Sequence, residues 1–144
     1  METGDILVPT DFSDCSLRAL DFALSLVSPG GEIYLLNVID SKFLEGFQEL
    51  GLGSKEDATQ RMRATADEKL DAIIADHEQA AAKVNKMIVV GIPFVEILRI
   101  AKDLDFRLIV MGIKGGMNPI EELLFGGTAD KVLRGTHVPI VCVP

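Results

Sequence analysis

The stretch Ile6-Leu7-Val8-Pro9-Thr10-Asp11-Phe12-Ser13-Asp14 is a short apolar run, stopped by a proline and followed by residues that start helices. The run reads as a buried strand. Thr10 to Asp14 is dense in N-cap residues, and Leu17, Leu20, Leu24 and Val27 then recur three and four apart, the spacing of one helical face. Ser28-Pro29-Gly30-Gly31 stops that helix. Ile33, Tyr34, Leu35, Leu36 and Val38 form a second apolar run, too continuous for a half-exposed strand and suited to one covered on both faces. Strand, helix, strand is the parallel crossover unit, and the rest of the chain repeats its alternation.

From Ile39 to Ser54, Phe43, Leu44, Phe47, Leu50 and Leu52 are interleaved with Gly46, Gly51 and Gly53, a pattern for a mobile loop or a short interrupted helix. Lys55 to about Ala82 is rich in helix formers, with Met62, Ala66, Leu70, Ile73 and Ile74 as a narrow apolar stripe that predicts a long amphipathic helix. Met87 to Val90 is the third strand. Gly91-Ile92-Pro93 turns the chain into a helix whose Val95, Ile97, Leu98 and Ala101 are expected to face inward. Leu108 to Met111 is the fourth strand. A glycine-bearing loop, Gly112 to Asn118, precedes an apolar helical stretch at Ile120 to Phe125; Gly126-Gly127-Thr128 leads into a helix at Ala129 to Leu133, and Val138 to Val143 is the last strand. Five strands alternating with four main helices predict an α/β fold with a doubly wound parallel sheet and helices on both faces. No internal repeat or linker divides residues 1–144, which are expected to make a single domain.

Composition fits that architecture. Hydrophobic residues are 48% and charged residues 25% of the 144, too apolar for a disordered chain, while no apolar run approaches the roughly 18 residues of a membrane span. Fourteen basic against 22 acidic residues leave a net charge of −8. Such a chain has no field to gather nucleic acid or anionic lipid, although helix N-termini and backbone amides can bind a small anion without a basic surface. Cys15 and Cys142 lie far apart with no metal-ligand spacing and read as reduced packing residues, and the first residues lack the pattern of a secretory signal. A cytoplasmic protein is expected.

In an open parallel sheet the ligand crevice lies outside the carboxyl ends of the strands, where neighbouring connections leave for opposite faces. The residues that follow strands are therefore the candidates: Pro9-Thr10-Asp11, Asn37-Val38-Ile39-Asp40, and Gly112-Ile113-Lys114-Gly115-Gly116. Glycines after a strand let backbone amides approach a phosphate, and Gly126-Gly127-Thr128 offers a second amide cluster at a helix start. Lys114 can add a point charge. Asp11 reads equally as an N-cap of the first helix. His77 and His137 have no companions at ligand spacing and read as surface residues. No Ser/His/Asp grouping, carboxylate pair or metal cluster is visible.

Ile6 to Ser13, Leu36-Asn37-Val38-Ile39-Asp40, Gly91-Ile92-Pro93, Ile109-Val110-Met111-Gly112 and Val138-Pro139-Ile140-Val141-Cys142-Val143 together resemble the universal stress protein family in type and order, over essentially the whole chain. The resemblance implies a Rossmann-like sheet of order 3-2-1-4-5 and a homodimer paired through the last strand, Val138 to Val143. It also implies a site for ATP, with or without Mg²⁺, in those members that bind nucleotide. Carried onto this sequence, Pro9, Thr10 and Asp11 would lie against the adenosine and Val38 would present its backbone to the adenine edge. Met111 and Gly112 would touch ribose and base; Lys114, Gly115, Gly126, Gly127 and Thr128 would lie along the phosphates. The family's nucleotide pattern, G-x2-G-x9-G-[S/T], is met by Gly112 and Gly115 and then departs: ten residues, Gly116 to Phe125, precede Gly126, and Gly127 stands where Ser or Thr belongs, with Thr128 one step later. Either the glycine-rich loop absorbs the extra residue or the site is lost and the protein acts through protein contacts. Hydrolysis, if any, would be slow and run through Asp11 and a bound Mg²⁺, because the loops offer chiefly amides.

Overall fold

The structure, a computed structural model, describes residues 4–113 and 126–144. Five strands, β1 (Ile6–Pro9), β2 (Ile33–Asp40), β3 (Val84–Gly91), β4 (Leu108–Gly112) and β5 (Ile140–Val143), form one sheet in the order β3-β2-β1-β4-β5, and each neighbouring pair is parallel. Five helices are described: α1 (Asp14–Leu26), α2 (Ser41–Glu49), α3 (Lys55–Ala75), α4 (Pro93–Asp103) and α5 (Gly127–Gly135). This is the doubly wound parallel sheet that the sequence pattern predicts, in the order 3-2-1-4-5 that the family resemblance implies.

Alternation along the strands sorts the core onto the two faces. Ile6, Val8, Leu35 and Val110 pack with Ala19, Leu20 and Ala23 of α1 and Leu70 of α3. Leu7, Leu36, Ile109 and Met111 point the other way, against Ile97, Ile100 and Ala101 of α4 and Ala129 and Val132 of α5. Each of the fully buried Leu and Ile side chains contributes about 1.5–3 kcal/mol. Because β1 sends its connection to the α1 face and β4 sends its own to the α5 face, a crevice opens at the carboxyl ends of these two adjacent strands.

Several element boundaries and helix faces either decide between the sequence expectations or differ from them. The Ile39 to Ser54 stretch holds a nine-residue helix, α2, capped by Asp40, whose carboxylate accepts from the Lys42 amide at 2.9 Å. α3 stops at Ala75 and not near Ala82; the residues after it turn through His77 N–H to Ile74 O and Ala80 N–H to His77 O, and the chain re-enters the sheet at Val84. Pairing of Val84 with Ile33 lengthens β3 beyond Met87–Val90 and overrides the helix propensity of the alanines. β5 begins at Ile140, because the Val138 amide and carbonyl both bond Thr136 Oγ1 locally and Pro139 has no N–H to give the ladder. On α1, Leu20 of the expected stripe is fully buried and Leu24 and Val27 pack against the same core, but the small side chains Cys15, Ser16, Ala19 and Ala23, outside that stripe, complete the buried face; on α4, Val95 is 41% exposed.

Candidate functional site

A cleft of about 260 Å³ sits in the crevice. Pro9, Thr10, Asp11, Val38, Met111, Gly112, Gly126, Gly127 and Thr128 all line it, so the structure gathers these sequence candidates into one place. Lys114 and Gly115, like the expected helix at Ile120 to Phe125, lie outside the described residues.

The β1–α1 turn forms one wall. The Thr10 amide continues the sheet by donating to Leu36 O at 2.8 Å, and Asn37 Nδ2 reaches across from β2 to donate to Thr10 O at 2.9 Å. Past Thr10 the chain reverses through Phe12, which sits at φ +68°. A bulky residue rarely occupies this left-handed region, which costs about 1–2 kcal/mol. The Phe12 amide donates to Thr10 Oγ1 at 3.0 Å, the Ser13 amide to Asp11 Oδ1 at 3.0 Å and the Ser16 amide to Ser13 Oγ at 3.2 Å. The residue that caps α1 is therefore Ser13, and Asp11 braces the cap from two residues upstream while staying exposed at the cleft. Outside the turn, the Phe12 ring packs on the α1-side core and carries Lys69 Nζ 5.1 Å from its centroid.

Val38 contributes its backbone. The carbonyls of Glu32 and Leu36 face β1, accepting from Ile6 and Thr10, while Ile33 donates to Lys83 beside β3. Two-residue alternation therefore turns the amide and carbonyl of Val38 toward β1 as well. At that height β1 has already bent away at Thr10, so one donor and one acceptor face the crevice.

The opposite wall is made by glycines. A Cβ at Gly112 would lie 2.6 Å from Cys15 Sγ and 2.9 Å from the Cys15 carbonyl carbon, so only glycine lets β4 pass α1 this closely. Cys15 Sγ itself donates to Val143 O at 3.1 Å. Gly126 donates to Ile113 O at 2.7 Å, and a Cβ on it would meet that same oxygen at 2.9 Å. It caps α5 with no side-chain bond, and the first main-chain bond of that helix, Asp130 N–H to Gly126 O at 2.9 Å, starts beyond the amides of Gly127, Thr128 and Ala129. Amides at a helix start, with the helix dipole behind them, attract negative charge. Around Gly127 the space is open.

Ile113, on the candidate loop after β4, lines the cleft too; the sequence reading missed Ser13, Ser16, Leu36, Pro93, Ile97 and Ala129, which also line it. Pro93 and Ile97 arrive from α4, whose position is set by the crossover from β3 to β4, and no local pattern carries that information. The histidines lie elsewhere. His77 is no free surface residue: its ring contacts Ile73 O at 2.7 Å and Asp21 Oδ1 at 3.0 Å, and these acceptors, the carbonyl first, raise its pKa against the opposing effect of burial. Burial also pushes the Cys142 thiol up. Among the described residues no group of three or more His, Cys, Asp or Glu side chains converges to hold a metal, and no helix is long and apolar enough to cross a membrane.

Residues 3–144 match the model of the universal stress protein family. The chain belongs to that family. Among its relatives is universal stress protein MJ0577 of Methanocaldococcus jannaschii, 31% identical over 151 residues that span 96% of this chain and 93% of that protein. The solved structure of MJ0577 superposes with a TM-score of 0.83 at 30% identity, covering 99% of this chain and 96% of that one. Two more distant structures share the fold. One is a universal stress protein in complex with cAMP (21% identity, TM-score 0.69, 99% and 98% covered); the other is the universal stress protein of Archaeoglobus fulgidus in complex with dAMP (22% identity, TM-score 0.67, 97% of each chain covered).

Proposed function

We propose that this universal stress protein binds an adenine nucleotide, ATP foremost, in the cleft between β1 and β4, as a cytoplasmic signalling module with no hydrolysis or only a very slow one. The observation that carries the reading is the polarity of the cleft. Asp11, already holding the Ser13 amide with Oδ1, supplies a carboxylate acceptor at one wall, and the Val38 backbone adds a donor and an acceptor beside it. The start of α5 supplies amide donors at the other wall. A ligand with a base amine and sugar hydroxyls toward one end and phosphate at the other matches these groups. The complexes of related proteins with cAMP and dAMP support the same class.

Pro9, Thr10 and Asp11 would lie on the adenosine, Val38 on the base edge, Met111 and Gly112 on ribose and base, and Gly126, Gly127 and Thr128 on phosphate, with Lys114 and Gly115 completing that end. Asp11 is the one acidic side chain among the described lining residues, so a Mg²⁺ would be held mainly by the ligand's own phosphates. Among the described lining residues no second carboxylate or histidine accompanies Asp11 to orient a water, which supports binding without rapid chemistry. Sheet order leaves β5 at an edge with partly buried apolar residues, and we assign the homodimer contact to that strand, Val138 to Val143 included.

Calorimetric titration with ATP and Mg²⁺, after an absorbance check for co-purified nucleotide, tests the reading. A micromolar site that weakens at least about tenfold in Asp11→Ala, the worth of a lost charge-assisted hydrogen bond, is expected. Absence of both heat and co-purified nucleotide would overturn it and leave a module acting through protein contacts.

A further inference from the structure

Thr10 and Ser16 are the buried polar residues of the described chain, at 6% and 4% exposure, and both lie at the cleft. Their hydroxyls are 2.8 Å apart. Ser16 Oγ is also 2.9 Å from Ser13 O, an oxygen that can only accept, so the single proton of Ser16 is committed there. The contact between the hydroxyls must then run from Thr10 to Ser16. With the Phe12 amide donating to Thr10 Oγ1, the order is fixed from end to end: Phe12 N–H to Thr10 O–H to Ser16 O–H to Ser13 O.

The relay spans the residue with the strained backbone. Phe12, at φ +68°, is held between Thr10 before it and Ser13 after it, and Ser16 is the group that ties these two together. Because the Thr10 proton is spent inside the protein, the Thr10 side chain has only a lone pair to offer a ligand, and it adds an acceptor to that of the Asp11 carboxylate. We infer that Ser16 is a positioning residue of the nucleotide site, whose hydroxyl fixes the strained β1–α1 turn so that the Thr10 and Asp11 side chains meet the ligand purely as acceptors. The inference rests on the nucleotide reading given above and adds to it a residue that does not touch the ligand's donors itself.

ATP titrations of the full chain and three variants separate this role from a general loss of folding. Ser16→Ala strands the Thr10 proton and should weaken ATP binding about tenfold, the value of one hydrogen bond's worth of alignment. Ser16→Thr keeps the hydroxyl and should bind within about threefold of the unmodified protein. In an Asp11→Asn background, where the acceptor aimed by the turn is already changed, adding Ser16→Ala should cost less than about threefold, the non-additivity of two residues in one network. Amide exchange of Phe12 in the free protein should quicken in Ser16→Ala while that of Leu20, one turn further into α1, stays unchanged. Equal ATP affinity in Ser16→Ala and the unmodified chain would overturn the inference and leave nucleotide binding standing. The same loss with and without Asp11→Asn would also overturn it, marking a structural role only. An unmodified chain that takes up no ATP would remove the nucleotide reading itself and this inference with it.

Discussion

On the β1 side of the cleft the shape is set by side chains: Thr10, Ser13, Ser16 and Asp11 bond the backbone of the turn and hold Phe12 in a conformation it would not choose alone. On the β4 side it is set by their absence, with Gly112 pressed against Cys15 and Gly126 against Ile113 O. One wall is stiff because its polar groups are satisfied, the other because nothing larger fits. The difference teaches that two walls facing one ligand can fail in opposite ways, the first by losing atoms and the second by gaining them.

The largest break is expected at Gly112→Ala. Its new Cβ meets both the side chain and the backbone of Cys15, so overpacking should cost about 1–3 kcal/mol in denaturant unfolding, and Cys15→Ala added to it should restore only part, since the backbone contact at 2.9 Å remains. Next comes Thr10→Val, which keeps the volume and removes the hydroxyl that accepts from the Phe12 amide. The stranded amide and the lost relay should cost about 1–2 kcal/mol in the same measurement. Gly127→Ala sharpens the contrast from the other side: the space is open and the residue lies at a helix start, so stability should rise by about 0.4–1 kcal/mol, seen as a higher thermal midpoint.

The smallest effect concerns the far end of α1, the helix whose first turn carries the side-chain wall. His77 faces two groups that only accept, Ile73 O and the Asp21 carboxylate, so a neutral ring can serve one and a protonated ring both. Its folded pKa is raised, so this contribution is complete below the unfolded value and fades as pH climbs through the folded one. Stability should therefore be slightly higher near pH 5.5 than near pH 8, by less than about 1 kcal/mol, and Asp21→Asn should flatten that part of the pH profile.

Much of this was legible beforehand because periodic patterns report burial. The apolar runs at Ile6, Ile33 and Leu108 placed the sheet, and the residues following the strands placed the cleft. The strand-covering face of α1 was legible only in part: Leu20 marked it, but Ser16, Ala19 and Ala23, which share its burial, carry too little hydrophobicity to stand out in an apolar stripe. Ser16 gave no signal because a hydroxyl in a helical turn is common, and its meaning comes only from Thr10, which the turn brings to 2.8 Å. The end of α3 escaped because alanines favour a helix locally, while the register of Val84 on Ile33 is a contact between distant residues.

One consequence concerns the order in which the site is made. Cys15 Sγ reaches Val143 O and Arg18 Nε reaches Pro144 O, contacts that bridge 128 and 126 positions of sequence. Closing loops of that length is slow relative to local helix formation, because chain entropy must be lost before the contacts form. α1 can coil early, yet the neighbour that pins its first turn lies 128 positions further along the sequence. Assembly of the cleft thus waits for β5 to dock, and a chain in which that strand is still unpaired has no finished pocket with which to hold a ligand.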